Sequence, residues 1–254
     1  MSRIYRALEK AEKEKRRGLP EDPLSGIFEK EPTATRVEKH GRNSNTGTDR
    51  LELPVPEEAA PSIAPLHSFA EEQFQKVKTH IFRRSPEPPR FILITSAAPG
   101  EGKSTVAINL AMTISKEIHK KVILIDADLR KPTIFRERYL HSKGLSDYLA
   151  NATSIAEILN NSETDNFMVI PAGTPPRNPA ELIGSKKMRG LIGNLRENGD
   201  DQFVLIDSPP VLATSEALLL SEWVDGVILV VMAGQVPKPS VRRVIDSIGR
   251  EKII

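Results

Sequence analysis

A glycine-rich loop followed by a lysine and two hydroxyl residues carries the clearest chemical signal in the sequence. It reads Ala-Ala-Pro-Gly-Glu-Gly-Lys-Ser-Thr over residues 97–105, shortly after an apolar run at residues 91–94. Glycines in such a loop let backbone N–H groups approach an anion closely, and a helix that starts at the lysine adds the positive end of its dipole. This succession of strand, loop and helix predicts a phosphate-binding site of the Walker A type.

Three residues of the loop have distinct expected contacts with a bound nucleotide. Lys103 would reach the β- and γ-phosphate oxygens, the Ser104 hydroxyl would bind Mg²⁺, and Thr105 would contact the α-phosphate. Ala97 stands where the strict pattern has its first glycine, which is a mild departure. The alternative is a chance glycine turn, which the run Gly-Lys-Ser-Thr at a strand-to-helix junction disfavours.

Acidic residues follow two other apolar runs. Asp126 and Asp128 come after the run at residues 122–125, and Asp207 comes after the run at residues 203–206. In an open α/β sheet, ligands bind at the edge formed by the carboxyl ends of the strands. One aspartate at such a point commonly caps a turn, but three beside one phosphate loop are better explained as ligands of Mg²⁺ and its waters. The predicted nucleotide contacts are Pro99, Gly100, Glu101, Gly102, Lys103, Ser104, Thr105 and Asp207, and the predicted metal ligands are Ser104, Asp128 and Asp207.

Short apolar runs that alternate with helical patterns define the expected fold class. They predict an α/β P-loop NTPase domain whose mostly parallel sheet is covered by helices on both faces. The predicted strands are Phe91–Thr95, Lys121–Asp126, Phe167–Pro171, Phe203–Asp207 and Gly226–Met232. The predicted helices are Ser68–Phe82, Lys103–Ile118, Leu145–Leu149, Ser154–Leu159, Ser215–Trp223 and one continuous helix from Asn178 that buries Met188, Leu191, Ile192 and Leu195.

The chain divides into three expected segments. Residues 1–18 form a basic helix candidate, residues 19–66 read as a disordered linker rich in proline and polar residues, and residues 67–254 form the P-loop domain. The basic helix has a thin apolar side. Docking to a partner helix or to an anionic membrane surface explains it as well as simple solvation does.

Composition narrows the class of protein. The chain has 254 residues, a net charge of +2 and no cysteine. The small net charge predicts no strong attraction to nucleic acid, and the absence of cysteine excludes a disulfide framework. No apolar run reaches the roughly 18–20 residues that a membrane span needs. A soluble protein is expected, with any membrane association arising through a partner or a surface helix.

Together these motifs resemble the bacterial tyrosine kinases of capsule and exopolysaccharide synthesis over roughly residues 66–254. The resemblance rests on the Ala-Pro-Gly-Glu-Gly-Lys-Ser loop, on Asp-Ala-Asp-Leu-Arg-Lys-Pro from 126, on Pro-Ala-Gly-Thr-Pro-Pro-Arg-Asn-Pro-Ala-Glu-Leu from 171 and on Asp-Ser-Pro-Pro-Val-Leu from 207. The start Ser-Arg-Ile-Tyr-Arg-Ala-Leu-Glu-Lys-Ala is similar to kinases encoded with exosortase-type polysaccharide loci.

The resemblance implies an activity and a set of roles. It implies a MgATP-dependent tyrosine autokinase of the same fold as the partition and division-site ATPases, with Lys103, Asp126 and Asp128 as catalytic residues. Asp126 would take the proton of the tyrosine hydroxyl, while Asp128 and Asp207 would hold Mg²⁺. The implied partners are a transmembrane polysaccharide co-polymerase that activates the enzyme, a tyrosine-containing protein substrate and further copies of the chain. Nucleic acid is not among them, and the implied location is cytoplasmic, at the inner face of the membrane.

Four features bear on how far the resemblance extends. Ala98 stands where partition-type ATPases carry a second, signature lysine, which disfavours that class. The chain has only Tyr5, Tyr139 and Tyr148 in place of a tyrosine-rich tail, and it stops where the family fold would begin another strand, which suggests truncation.

The family's assembly motif Glu-x-x-Arg-x-x-Arg reads Glu72, Gln75 and Lys78 here, and lysine is a poorer bidentate donor than arginine. An ATP-controlled scaffold without kinase activity therefore stays open as the alternative function, and a positioning ATPase of the partition type is a more distant one.

Overall fold

The computed structural model describes residues 68–83, 87–117, 120–134, 136–139, 141–162, 166–197 and 201–254. The basic helix and the linker expected over residues 1–66, and with them Tyr5, lie outside the described residues. Within the described part, no helix has both the length and the apolar character that crossing a membrane requires.

Strands and helices alternate along the described chain. The strands are β1 (Phe91–Ser96), β2 (Lys121–Asp126), β3 (Asn160–Asn161), β4 (Phe167–Ile170), β5 (Gln202–Asp207) and β6 (Gly226–Val230). The helices are α1 (Ser68–Arg83), α2 (Lys103–Ser115), α3 (Arg136–Tyr139), α4 (Leu145–Leu149), α5 (Ile155–Ile158), α6 (Pro179–Ile183), α7 (Lys186–Glu197), α8 (Glu216–Ser221) and α9 (Lys238–Ile248), with a 3₁₀ turn at Arg250–Lys252.

The sheet has the strand order β3-β4-β2-β5-β1-β6, and every neighbouring pair is parallel except β3 with β4. The three central strands are buried along nearly their whole length, because helices cover both faces. This confirms the mostly parallel α/β sheet that the sequence predicts. In the pairing of β2 with β5, Asp126 lies opposite Asp207, so two carboxylates end adjacent strands at the same edge.

Each face of the sheet carries its own apolar core. On one face, α1 and α2 pack through Ile81, Leu110 and Ile114 against alternate residues of the strands. On the other face, Leu145, Ile158, Met188, Leu191 and Leu220 cover the opposite set. Alternate side chains of a strand point to opposite faces, which is why apolar runs without a polar gap fit these strands.

The prediction of one continuous helix from Asn178 is wrong, because the structure has two helices there, α6 and α7. The N–H of Gly184 closes α6 by donating to the carbonyl of Ala180 at 2.9 Å. The Ser185 hydroxyl oxygen then accepts the N–H of Met188 at 3.2 Å, which is a capping bond that starts α7. The four residues predicted as the buried face are buried, and they belong to α7.

Two elements near the end of the chain are absent from the sequence prediction. Helix α9 buries only Val244 and Ile248, too few apolar positions to signal a helix in advance. After the 3₁₀ turn, Ile253 forms a parallel bridge with Val227 at the edge of β6, and the Ile254 N–H donates to the Val227 carbonyl at 3.0 Å.

Asp225, the residue just before β6, joins three elements and makes stability depend on pH. Its Oδ2 accepts the N–H groups of Arg90 and Phe91, each at 2.9 Å, and its Oδ1 accepts Nη1 of Arg196 at 2.6 Å. Burial alone would raise the pKa of Asp225, but these hydrogen bonds outweigh burial and hold that pKa below its ordinary value. The ionised carboxylate therefore stabilises the fold above about pH 4, and this contribution is lost as the pH falls through the lowered pKa.

We predict that Asp225→Asn lowers the melting temperature at pH 7 by about 2–4 °C per kcal/mol lost. Both carboxylate oxygens of Asp225 accept hydrogen bonds, whereas an amide has one oxygen and one NH₂ group. The NH₂ group would face an N–H donor, so at least one of these hydrogen bonds is lost. The difference from the unchanged protein should shrink as the pH falls from about 4 through the lowered pKa, at which the carboxylate of the folded protein is itself protonated. Melting curves across pH measure this, with the exposed Asp246→Asn on α9 as the control. An unchanging difference from pH 7 to pH 3 would contradict the assignment.

Candidate active site

The loop between β1 and α2 has the conformation that its glycines allow. Gly100 and Gly102 have φ values of 81° and 87°, in the left-handed region that residues with a Cβ rarely occupy. Gly102 is the N-cap of α2, and because glycine has no side chain, the first N–H groups of the helix have no side-chain cap from that residue. The loop thus presents backbone N–H groups and a helix N-terminus at one point, which is the arrangement that binds phosphate.

Glu101 braces this loop from within. Its Oε2 accepts the N–H of Ala98 at 2.7 Å, and its Oε1 accepts the N–H of Met232, just after β6, at 3.1 Å. Nε2 of Gln235 donates to the Pro99 carbonyl at 2.9 Å. The Glu101 carboxylate is therefore engaged with the protein itself, and what it contributes to the predicted nucleotide site is the shape of the loop.

Lys103 lies among the three aspartates that the sequence singles out. Its Nζ is 3.1 Å from Asp128 Oδ2 and 3.8 Å from Asp207 Oδ2. Lys103 is 9% exposed, and Asp126, Asp128 and Asp207 are 1%, 4% and 0% exposed, so solvent screens these charges very little. Burial alone would lower the pKa of Lys103, but the nearby carboxylates, led by Asp207 and Asp128, outweigh it and raise that pKa. The lysine is therefore a fixed positive charge.

Ser104 links the loop to β5 and to the segment after β2. Its hydroxyl donates to Asp207 Oδ2 at 2.6 Å and accepts the hydroxyl of Thr133 at 2.7 Å. Asp207 Oδ1 is buried and has no hydrogen-bond partner in the described part of the chain. An orphaned carboxylate oxygen beside a serine hydroxyl is a donor set that suits Mg²⁺, a cation that prefers oxygen ligands and keeps several waters. Burial raises the pKa of Asp207 to about 6, against the opposing effect of Lys103.

Asp126 is held by backbone groups of its own loop. The N–H of Asp128 donates to its Oδ1 at 3.1 Å, and the N–H of Ile134 donates to its Oδ2 at 3.2 Å. Burial raises the pKa of Asp126 well above its ordinary value, and the neighbouring Asp207 raises it further. A carboxylate with a raised pKa accepts a proton more readily, which is the property that a general base needs.

A cavity of about 450 Å³ opens beside Asp126. Its walls come from the segment after β2 and from the loop after β4, and they combine apolar groups with two cations at residues 130 and 131. The lining residues are Asp126, Arg130, Lys131, Pro132, Thr133, Ile134, Tyr139, Pro171, Ala172, Gly173 and Pro175. Asp126 thus borders a cavity whose described lining residues do not include the phosphate loop.

Several residues at this edge were not singled out as site residues by the sequence analysis. Thr133 is one, since its hydroxyl reaches Ser104 only through the fold. Another is the pair in which Nε of Arg130 donates at 2.8 Å to Oε1 of Glu216, a carboxylate that is 1% exposed. The sequence offers a signal only for Arg130, which lies two positions after Asp128; nothing in it marks Glu216 as the partner, because they are distant in sequence.

Comparisons with known proteins find similarity to an AAA domain family and to tyrosine-protein kinases. A family model described as an AAA domain matches residues 89–250. The tyrosine-protein kinase YwqD of Bacillus subtilis is 39% identical over 173 residues, which are 67% of this chain and 72% of that protein. The putative tyrosine-protein kinase CapB of Staphylococcus aureus is 31% identical over 193 residues, 72% of this chain and 82% of that protein.

A solved structure extends the similarity to three dimensions. The kinase domain of the Escherichia coli tyrosine kinase ETK superposes with a TM-score of 0.64 at 29% identity, over 72% of this chain and 72% of that one. The similarity in three dimensions therefore extends over 72% of this chain.

We predict that Lys103→Met weakens MgATP binding about tenfold to a hundredfold, because a hydrogen bond to a charged group contributes roughly 1.5–3 kcal/mol. Titration calorimetry measures the affinity, and circular dichroism checks that the domain remains folded. Lys116→Met is the matched control, since this lysine is exposed beyond the far end of α2 and pairs with Glu71. An unchanged affinity in Lys103→Met would contradict the placement of the phosphates at this loop.

Proposed function

Because this chain belongs to the bacterial tyrosine kinases, we propose that it is an autokinase that regulates the synthesis or export of an exopolysaccharide or capsule. In this proposal it transfers the γ-phosphoryl group of ATP to tyrosine hydroxyls, its own among them. The observation that carries the chemistry is a fixed cation, Lys103, and three buried carboxylates at the end of a phosphate-binding loop.

Asp126 is the proposed base. A tyrosine hydroxyl has a pKa of about 10 and must lose its proton as its oxygen attacks. The new bond joins that oxygen to the γ-phosphorus, the bond from the γ-phosphorus to the leaving ADP oxygen breaks, and the proton passes to an Asp126 carboxylate oxygen. Support comes from the position of Asp126 at the cavity and from its raised pKa.

Lys103 and the backbone of the phosphate loop would hold the charge that spreads over the transferred group. Ser104, Asp128 and Asp207 are the proposed Mg²⁺ ligands, directly or through water, and the orphaned Asp207 Oδ1 supports this choice. Bound Mg²⁺ would supply the positive charge that offsets the phosphate oxygens. Positioning and charge stabilisation provide most of the catalysis in this class of reaction.

The proposed partner is a transmembrane polysaccharide co-polymerase that activates the kinase, with the chain at the cytoplasmic face of the membrane. The motifs shared with capsule and exopolysaccharide kinases support this proposal, as does the basic segment at residues 1–18. A chain truncated to residues 67–254 should lose recruitment to membranes that contain the partner if that segment is the contact.

A second candidate function, the ATP-controlled scaffold, is favoured by one observation. Two of the chain's three tyrosines, Tyr139 and Tyr148, are half-buried, and burial raises the pKa of each. A half-buried phenol is a poor acceptor for its own or another active site. Nucleotide-dependent association that never produces phosphotyrosine would favour the scaffold. The partition-type alternative has no comparable support, since Ala98 replaces its signature lysine.

We predict that Asp126→Asn keeps MgATP affinity within a few-fold and lowers phosphotyrosine formation about 10²–10⁴-fold, the usual contribution of a general base. Lys103→Met should lower both. The assay supplies a tyrosine-rich acceptor protein, because the chain itself has few tyrosines, and detects phosphotyrosine by mass spectrometry. The exposed Asp246→Asn is the control for the charge change. Retained phosphorylation in both active-site variants would overturn the kinase assignment of these residues.

A further inference from the structure

The cavity beside Asp126 has the size and the lining of a binding site. Its volume of about 450 Å³ falls within the roughly 300–1,000 Å³ typical of ligand pockets. Three prolines and Ile134 give it apolar walls that suit a flat ring, and the buried Asp126 supplies one polar group that could accept a hydroxyl proton. The chemistry of these walls fits a phenol side chain.

Two cations belong to the same cavity and lie at its solvent side. Arg130 and Lys131 are both exposed, while Asp126 is buried. Arg130 donates through Nε to the buried Glu216, so its guanidinium is fixed in place, and its terminal nitrogens make no other ion pair within the described ranges. Lys131 is anchored by its backbone, since its N–H donates to Asp128 Oδ1 at 3.1 Å.

The charge of these two side chains is not neutralised equally. Glu216 offsets Arg130, whereas the Lys131 ammonium has no ion pair in the part of the chain that the structure describes. Asp126 is the one carboxylate among the described lining residues, and its oxygens accept backbone N–H groups. Among the described residues, the exposed rim of the cavity therefore carries two cations, and the Lys131 ammonium is the one without an ion-pair partner there.

We propose that this cavity receives the acceptor tyrosine and that Lys131, with Arg130 beside it, selects tyrosines flanked by acidic residues. The proposal rests on the proposed kinase function and adds the class of acceptor sequence to it. A carboxylate next to the tyrosine would meet the two cations, whereas a lysine there would meet like charges, which disfavours docking. Exposed pairs of this kind each contribute little, so two of them give a preference on the order of tenfold.

Three synthetic peptides of equal length test the selection. Each has one central tyrosine, flanked on both sides by glutamate, by glutamine or by lysine. With the full chain and MgATP, kcat/KM should decrease in the order glutamate, glutamine, lysine, with about tenfold between the first and the last. The preference should reside mainly in KM and should weaken as salt is raised to about 1 M, where the Debye length falls to about 3 Å.

Lys131→Glu is the decisive variant, because any residue other than proline retains the N–H bond to Asp128 and the side chain is exposed. It should reduce kcat/KM for the glutamate-flanked peptide by about tenfold or more and raise it for the lysine-flanked peptide. Arg242→Glu, which makes the same charge change on α9 and does not line the cavity, should leave the order of the three peptides intact.

The possible results distinguish a failure of the charge selection from a failure of the proposed kinase function. If tyrosines are phosphorylated at equal rates in all three peptides, or if Lys131→Glu keeps the original order, the charge selection is wrong while the kinase stands. If none of the peptides is phosphorylated by a chain that binds MgATP, and the tyrosine-rich acceptor protein also fails, the proposed function falls and the inference falls with it.

Discussion

The burial of three carboxylates and one lysine together at one edge of the sheet is the constraint on which the rest of the structure depends. Asp126 and Asp207 end adjacent strands in register, and Asp128 lies two positions further on. Burying charge is costly unless it is paired, and Lys103 alone cannot balance three anions. Burial, with repulsion from the neighbouring carboxylates added to it, raises the pKa of both Asp126 and Asp207. Such a site favours an added cation, which is what the proposed Mg²⁺ site requires.

Maintaining that arrangement requires the loops at this edge to be tied to one another. Glu101 connects the phosphate loop to the end of β6, and Ser104 connects it to Asp207 and Thr133. Arg130 connects the segment after β2 to Glu216 in α8, which follows β5. Each tie joins elements that come from different strands. A displacement of one strand end would therefore move groups on the neighbouring strands. The polar side chains at this edge make the hydrogen bonds that hold the strand ends together, although the strands themselves are apolar.

Local sequence signals account for the parts of the fold that neighbouring residues determine. The apolar runs predict all the longer strands, and the Gly-Lys-Ser-Thr junction predicts the loop and the start of α2. Tertiary packing determines the rest. The break between α6 and α7 depends on one serine cap, and α9 buries too few apolar residues to be recognised. Thr133 and Glu216 reach the site through chain folding over 29 and 86 positions, which no spacing rule in a single sequence reveals.

The segment after β2 joins chemistry and recognition in one short stretch. Asp126, the last residue of β2, and Asp128 are buried and lie near Lys103, whereas Arg130 and Lys131 are exposed. Backbone bonds from Lys131 to Asp128 and from Ile134 to Asp126 fold the stretch back on itself. One turn thereby holds anions toward the phosphate loop and cations toward solvent. Tyr139 is itself part of the cavity wall, so in the proposed docking the acceptor ring comes from another segment or another protein and passes the two exposed cations.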